Sequence, residues 1–385
     1  MNSKKYPNYM PENTFREKIN IYFRNIDKKI LFSFITLFLL GLFFSFSSTS
    51  SLAGERLDKD YYFFFSKHLM FVFLSILIMF VISFIELEFL NKTIIPIFII
   101  LFTFLILVPL IGIEVKGSQR WLNLYIFRLQ PIEILKPFFV LLTAKLLTRD
   151  KNKTTNVSYF FCFMLLISII ILLVNQPDVG QSILLTGTWI SIVFISGISL
   201  YYIFSFFSIS IIAFLGLIFS FPEKFGYIIN RLSTFLDPSK GDSFQSQKAL
   251  NAIKQGGLKG QGMGEGTLKD SVPEAHTDYI IAVITEEFGS IISILIILIF
   301  LFIVFRIIKT TILEQEQFLK MSLCGLSSIL IFQTFIHIGV NTSLIPTTGM
   351  TLPFLSYGGS SLLGSATLAG IILNYTKRRF YEEEI

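Results

Sequence analysis

The chain is 385 residues long, 53% hydrophobic and only 15% charged, with a mean hydropathy of +0.68. That balance excludes a soluble globular domain and leaves a polytopic membrane protein. The net charge of +6 would suit a nucleic-acid partner only if the basic residues formed a patch. They are spread in a pattern that membrane topology explains, so no nucleic acid is expected.

Crossing a ~30 Å hydrocarbon core takes about 20 apolar residues of helix. Ten runs suit, near 30–48, 66–86, 94–113, 131–149, 157–174, 180–197, 201–221, 279–305, 319–340 and 358–376. Backbone groups in lipid must bond within their own segment. The predicted fold is therefore an all-α integral membrane bundle of about ten transmembrane helices. Residues 1–29 form a tail, 30–376 the membrane domain with a long extracytoplasmic loop at 222–278, and 377–385 a second tail. Lys4, Lys5, Arg16, Lys18, Arg24, Lys28 and Lys29 precede the first run; Arg149, Lys151 and Lys153 follow the fourth, Arg306 and Lys309 the eighth, and Lys377, Arg378 and Arg379 the last. All fall on one side of a ten-span chain, which by the positive-inside rule makes both termini cytoplasmic. The stretches 114–130, 222–278 and 341–357 then face outward.

The first run ends in Ser-rich sequence, Phe46 to Gly54, but its charged leader of 29 residues is too long for a signal peptide and predicts an uncleaved anchor. The loop 49–65, with Tyr61, Tyr62 and Phe63 to Phe65, suits an interfacial aromatic belt. Cys162 and Cys324 lie in separate spans and read as packing residues, not a disulfide.

Lys116 to Leu122 and Arg128-Leu129-Gln130 lead into Pro131, which fits the first turn of a helix. Glu133 and Lys136 follow at i, i+3 inside the apolar zone. They read as a neutralising pair, as a cation-handling support for a polar cavity, or as both. In Gln176-Pro177-Asp178-Val179-Gly180, Asp178 reads as a helix cap or as a site residue.

Within 222–278, Phe225, Ile228, Leu232 and Phe235 recur at helical spacing, which predicts an amphipathic helix on the outer surface. Gly256, Gly257, Gly260, Gly262, Gly264 and Gly266 lack the strand, helix and Lys-Ser/Thr pair of a phosphate cradle and predict a flexible loop that admits a bulky substrate. Pro273-Glu274-Ala275-His276-Thr277-Asp278-Tyr279 then packs three ionisable side chains where water meets membrane, a costly placement usually kept for a task. Asp278 is read as the reactive residue; the plainer reading is a helix N-terminal carboxylate. From Asn341 to Ser361, two prolines, glycines and hydroxyls, Ser356 and Ser360 among them, predict a re-entrant or broken helix beside a water-filled cavity ringed by the outer loops.

Four motifs carry a resemblance: PEAHTDYIIAVITEEFG, GMTLPFLSYGGSS, GSQRW with QPIEILK, and QPDVG. Together, in order across nearly all ten spans, they resemble the SEDS proteins (shape, elongation, division and sporulation), typified by FtsW and RodA. Ala275, the run Gly264 to Thr267, and Thr351 look more like the division branch, FtsW, than the elongation branch, RodA. His337 departs from a common Asn and Ile132 from a common Ser, which puts polar contacts at those two positions in doubt.

The resemblance implies a peptidoglycan glycosyltransferase that polymerises lipid II on the outer face of the bacterial cytoplasmic membrane, at the division septum for the FtsW branch. It also implies a class B penicillin-binding transpeptidase as partner, among other divisome or elongasome membrane proteins, with the nascent glycan strand as second substrate. Asp278 matches the family's essential aspartate. A carboxylate there can take the proton of an attacking sugar hydroxyl, and cations must absorb the charge of the leaving diphosphate. Arg120, Arg128, Arg231 and Lys254 lie on the correct side, with Arg120 and Arg231 preferred. Glu274, His276 and Asp278 suggest a Mg²⁺ or Mn²⁺ site only if the segment is extended, with His276 more a positioning residue than a ligand. Glu286 is expected to border the cavity. A lipid II flippase, or a scaffold that does no chemistry, remain open alternatives.

Overall fold

A computed structural model of the chain describes residues 15–48, 63–115, 117–125, 127–148, 156–220, 222–237, 243–272 and 274–378. The far N-terminal tail, the Ser-rich end of the first run, most of the aromatic-belt loop, Arg149 to Lys153 and the residues after Arg378 lie outside it. Helices α1 (Phe15–Asn25), α2 (Lys28–Ser48), α3 (Phe63–Phe84) and α4 (Leu87–Ile111) lead into a small antiparallel sheet, β1 (Ile113–Val115), β2 (Ser118–Asn123) and β3 (Arg128–Leu129). Helices α5 (Pro131–Leu147), α6 (Asn156–Asn175), α7 (Val179–Ile195), α8 (Leu200–Ser220) and α9 (Pro222–Leu236) follow. The chain ends with α10 (Phe244–Gly256), α11 (Leu268–Ser271), α12 (Ile280–Leu313), α13 (Gln317–Asn341) and α14 (Gly359–Tyr375).

Each of the ten apolar runs is occupied by a helix. Among the described residues, six helices (α2, α3, α4, α6, α12 and α13) are long and apolar enough to cross a membrane. Helices α5, α7 and α14 have only 17 residues each and lie deeper in the bundle. Every side chain from Ser360 to Tyr375 in α14 is buried, as befits a helix apolar all round. Its small residues admit close neighbours: a Cβ on Gly364 would stand 2.5 Å from the Glu133 carbonyl oxygen, and one on Gly370 2.9 Å from that of Met79.

The first and last described segments meet at one end of this bundle. Arg306 pairs with Asp27 at the head of α2, and the Arg378 N–H donates to the Asn25 carbonyl at 2.9 Å. At the other end, α9 is the expected amphipathic helix, with Phe225 buried and Leu232 exposed.

Two expectations are corrected here. The eighth run is not one continuous helix: Gly289 (φ 85°, ψ 165°) breaks α12 into a short buried segment and a long spanning one. The glycine-rich stretch is not a loose admission loop but the clamp around that break. Gln261 and Gly262 N–H groups donate to the carbonyls of Glu286 and Glu287 at 2.9 and 3.0 Å, and Ser290 N–H donates to that of Gly257 at 2.9 Å. A Cβ on Gly256 would lie 2.0 Å from the Thr285 carbonyl oxygen, and one on Gly260 2.3 Å from that of Glu287. Gly256 and Gly260 are therefore required by backbone approach. The clamp is locked by Lys269, which pairs with the fully buried Glu287 at 2.8 Å and donates to the Ser47 carbonyl, while the Ser47 hydroxyl bonds the same carboxylate.

Substitution at the break should be costly. Gly289→Ala must adopt a conformation open almost only to glycine, a strain of about 1–3 kcal/mol, and would meet the Leu258 carbonyl at 2.2 Å. Thermal unfolding in detergent should show a clear loss for Gly289→Ala and a near-neutral result for Gly216→Ala, which has open space around it.

Candidate functional site

A cavity of about 1010 Å³ opens at the end of the bundle opposite the chain termini. Its walls come from the hairpin after β1, the turn at 274–279, the irregular segment at 342–358, three residues each of α3 and the start of α14, and single residues of α9, α10 and α13. The 342–358 segment contains no helix, contrary to the broken helix expected, and is held by hydrogen bonds. His337 Nδ1 meets the Met350 carbonyl at 2.8 Å, so the polar contact put in doubt at this position is present. The Ser356 hydroxyl accepts from Leu352 N–H at 2.8 Å and donates to the Thr277 carbonyl at 2.7 Å.

The turn carrying Asp278 is coiled, not extended. The Glu274 carbonyl accepts the N–H groups of Thr277 and Asp278 at 3.1 and 3.0 Å, so Glu274, His276 and Asp278 are not displayed in line. Among the described residues no group of three or more His, Cys, Asp or Glu side chains is arranged to hold a metal ion. Glu274 and Asp278 still both line the cavity, with Glu274 accepting from Gln245 Nε2 at 3.1 Å.

Asp278 is half-buried and faces the cavity. Its Oδ2 and Arg120 Nη1 lie 3.5 and 3.6 Å from the point where Gly349 would carry a Cβ, so both groups border the space that the missing side chain of Gly349 leaves open. Arg120 is buried, donating to the Gln176 and Pro177 carbonyls and pairing with Asp178 at 3.8 Å. Arg231 reaches in from α9, donates to the Thr347 carbonyl at 3.2 Å and lies 5.9 Å from the Tyr227 ring. Burial pulls Arg231 below the ordinary guanidinium range, and the charge of Arg120 adds to this, while Tyr227 is pushed up to about 12 by burial.

Other candidates divide between wall and support. Arg128, His276 and Ser360 line the cavity. The His276 ring packs edge-on against Tyr357 at 5.4 Å, and Ser360 links the Arg128 carbonyl to the Gln130 N–H at 2.8 and 2.9 Å. Asp178 sits outside the lining: it caps α7 through the Gln181 N–H and accepts from Gln130 Nε2. Ser356 is likewise a clip behind the wall. Lys254 is exposed away from the cavity. Glu286 does not border the cavity; it is fully buried and accepts the Thr267 and Leu268 N–H groups at 2.9 and 3.1 Å, which seats α11.

Glu133 and Lys136 form a buried line behind the cavity. Lys136 Nζ donates to Glu133 at 2.8 Å and to Gln333 Oε1 at 3.0 Å; Gln181 Nε2 donates to Glu133 at 2.6 Å. Gln333 Nε2 continues to the Thr351 carbonyl at 3.0 Å, and Thr351 itself lines the cavity. Sequence reading missed Gln333 and Asn341. The Asn341 side chain bonds the Asp278 carbonyl at 3.0 Å, the His337 carbonyl at 2.8 Å and the Ala282 N–H at 3.2 Å. The available signal was an amide late in an apolar run, where a polar group must find a partner. Lys67 was missed because it falls inside a run counted as span.

Fold and site together define a multi-pass α-helical membrane protein with a polar cavity at one end, lined by two carboxylates and several cations. The model of the FtsW, RodA and SpoVE family of cell cycle proteins matches residues 28–380, and the chain belongs to that family. It is 32% identical over 367 residues to the probable peptidoglycan glycosyltransferase FtsW of Caulobacter vibrioides, covering 95% of this chain and 93% of that one. It is also 32% identical to stage V sporulation protein E of Bacillus subtilis over 363 residues, 91% and 98% of the two chains. A chain from a peptidoglycan synthase complex that coordinates polymerisation and crosslinking superposes with a TM-score of 0.73 at 22% identity, covering 91% of this chain and 97% of its own. The RodA crystal structure from Thermus thermophilus gives 0.66 at 21% identity, with 91% and 96% covered; both share the fold.

The buried pair makes a signed prediction. Lys136→Met leaves Glu133 charged and unpaired, a loss on the order of 3–5 kcal/mol. Adding Glu133→Gln should recover most of it in thermal unfolding, and a double variant no better than the single would contradict the pairing.

Proposed function

We propose that this protein is a peptidoglycan glycosyltransferase that polymerises lipid II into glycan strands on the outer face of the bacterial cytoplasmic membrane, as the division member of its family. The observation that carries the reading is the Asp278 carboxylate beside Arg120, with Arg231 on the same cavity. The names of its relatives support the activity, and the several relatives named FtsW support the division role at the septum. The basic residues of the flanks support cytoplasmic termini. The likeness to a chain from a synthase complex supports a class B penicillin-binding transpeptidase as partner.

In the reaction, the 4-hydroxyl of the acceptor's terminal N-acetylglucosamine attacks the anomeric carbon of the donor. A new C–O bond forms, the bond to the undecaprenyl diphosphate breaks, and the diphosphate leaves with the electron pair. Asp278 accepts the hydroxyl proton as attack proceeds, worth ~10²–10⁴-fold. Arg120 cannot swing freely, because two carbonyls and Asp178 hold it. It therefore presents a fixed charge where the diphosphate's charge develops, and fixed charge needs no reorganisation during reaction. Arg231 supplies a second cation. A Mg²⁺ or Mn²⁺ ion, if used, would draw on Glu274 and Asp278 together with substrate phosphate oxygens and would add charge neutralisation. Asn341, Ser356 and the Glu133–Lys136–Gln333 line hold the Asp278 turn and the 347–361 wall in place.

The test is purified protein with lipid II and the transpeptidase. Asp278→Asn should lower polymerisation by ~10²–10⁴-fold while size-exclusion behaviour and partner binding stay intact. Full polymerisation by this variant would remove Asp278 from the chemistry, and lipid II moved between leaflets without polymer would favour a flippase.

A further inference from the structure

One wall of the cavity has a chemistry that proton transfer and diphosphate binding do not use. Trp121 and Asn123 of β2, and Tyr125 and Phe127 of the turn that leads to β3, all line it. Tyr125 is 100% exposed and holds φ at 63°. A left-handed backbone at a bulky residue is an outlier that costs about 1–3 kcal/mol. An asparagine or glycine would turn the chain there without that strain and without a bare ring in water. The hairpin has its own closure in any case, from the Leu124 N–H to the Phe127 carbonyl at 3.1 Å.

The neighbouring ring is fixed from behind. Phe127 meets Phe71 edge to face at 6.0 Å and 79°. The Phe71 ring lies so close over Gly359 that a Cβ there would stand 2.6 Å from it. Aromatic residues of an interfacial belt face lipid; these rings face a cavity that also holds Asp278, Arg120 and Arg231. Apolar ring faces beside an amide, the Asn123 side chain whose oxygen accepts the Tyr125 N–H at 3.2 Å and whose nitrogen can donate outward, suit a ligand that is itself apolar on its faces and polar at its edges. A chain of N-acetylated hexosamine rings has that character: C–H groups on the faces, hydroxyl and acetamido groups around the rim.

We propose that the Trp121–Asn123–Tyr125–Phe127 wall is a carbohydrate subsite that holds the growing glycan strand by its ring faces. The identity of the strand rests on the glycosyltransferase reading, but binding of an oligosaccharide can be measured without turnover. The subsite keeps the strand's end on the cavity between additions, so successive additions do not require the polymer to be recaptured from solution.

The chain has two tryptophans. Trp189 is buried in α7 against Phe163, away from the cavity, so full-length Trp189→Phe protein reports on Trp121 alone. Titration with tetra-N-acetylchitotetraose should change Trp121 emission saturably. Tyr125→Ala and Phe127→Ala should each weaken apparent affinity about threefold to tenfold, and their lipid II product should be shorter on gels. Tyr125→Phe and Phe127→Tyr keep the rings and should keep the affinity, which separates loss of the wall from loss of folding. No saturable response in protein that polymerises lipid II would overturn the subsite, as would unchanged affinity in both alanine variants. Saccharide binding by protein that makes no polymer would leave the subsite standing and remove the glycosyltransferase reading.

Discussion

The side-chain amide of Asn341 bonds three backbone groups at once: the carbonyls of Asp278 and His337 and the N–H of Ala282. It sits at the last turn of α13, fully buried, where the chain would otherwise leave polar groups without water. Through it the turn bearing Asp278 is tied to a long spanning helix. Ser356 and the Tyr357 N–H hold the other side of the turn through the Thr277 and His276 carbonyls. The carboxylate thus rides on backbone fixed from two directions, and its place at the edge of the space over Gly349, which Arg120 also borders, follows from that fixing.

Charge in the bundle interior is handled in the same way. Glu133 and Lys136 are both almost completely buried, and neither would be tolerated there alone. Their partners, Gln181 and Gln333, come from two other helices, so the pair joins α5 to α7 and α13. Because Gln333 continues to the Thr351 carbonyl, the buried charges also fix a piece of cavity wall. Neutralisation and support of the site are one arrangement, and the two sequence readings of these residues are compatible.

The ten spans were legible because lipid imposes one length and one polarity on every crossing segment. Asp278 was legible because ionisable groups crowd the edge of a run. Less visible was whatever depends on two distant backbones touching. The glycines from Gly256 to Gly266 looked like slack; the meaning of Gly256 and Gly260 lies in carbonyls some 30 residues on, beside the Gly289 break. Helical position put Glu286 toward the cavity, yet it seats α11, and its neighbour Glu287 anchors Lys269. Helical spacing tells which way a residue points, not which loop will be folded over it. Asn341 was similarly hidden, since a lone amide carries no pattern.

The knot of Lys269, Glu287 and Ser47 has a consequence for motion. With the glycine segment seated, the acidic head of Glu287 is matched by an ammonium and a hydroxyl drawn from two other parts of the chain. Lifting the segment would strip away the ammonium and leave the buried carboxylate with the Ser47 hydroxyl alone, while also baring the Glu286 and Glu287 carbonyls at the bend in α12. Partial lifting incurs nearly the whole penalty and gains little freedom. The segment should therefore behave as a latch with two positions, shut or fully sprung, and not as a hinge that drifts.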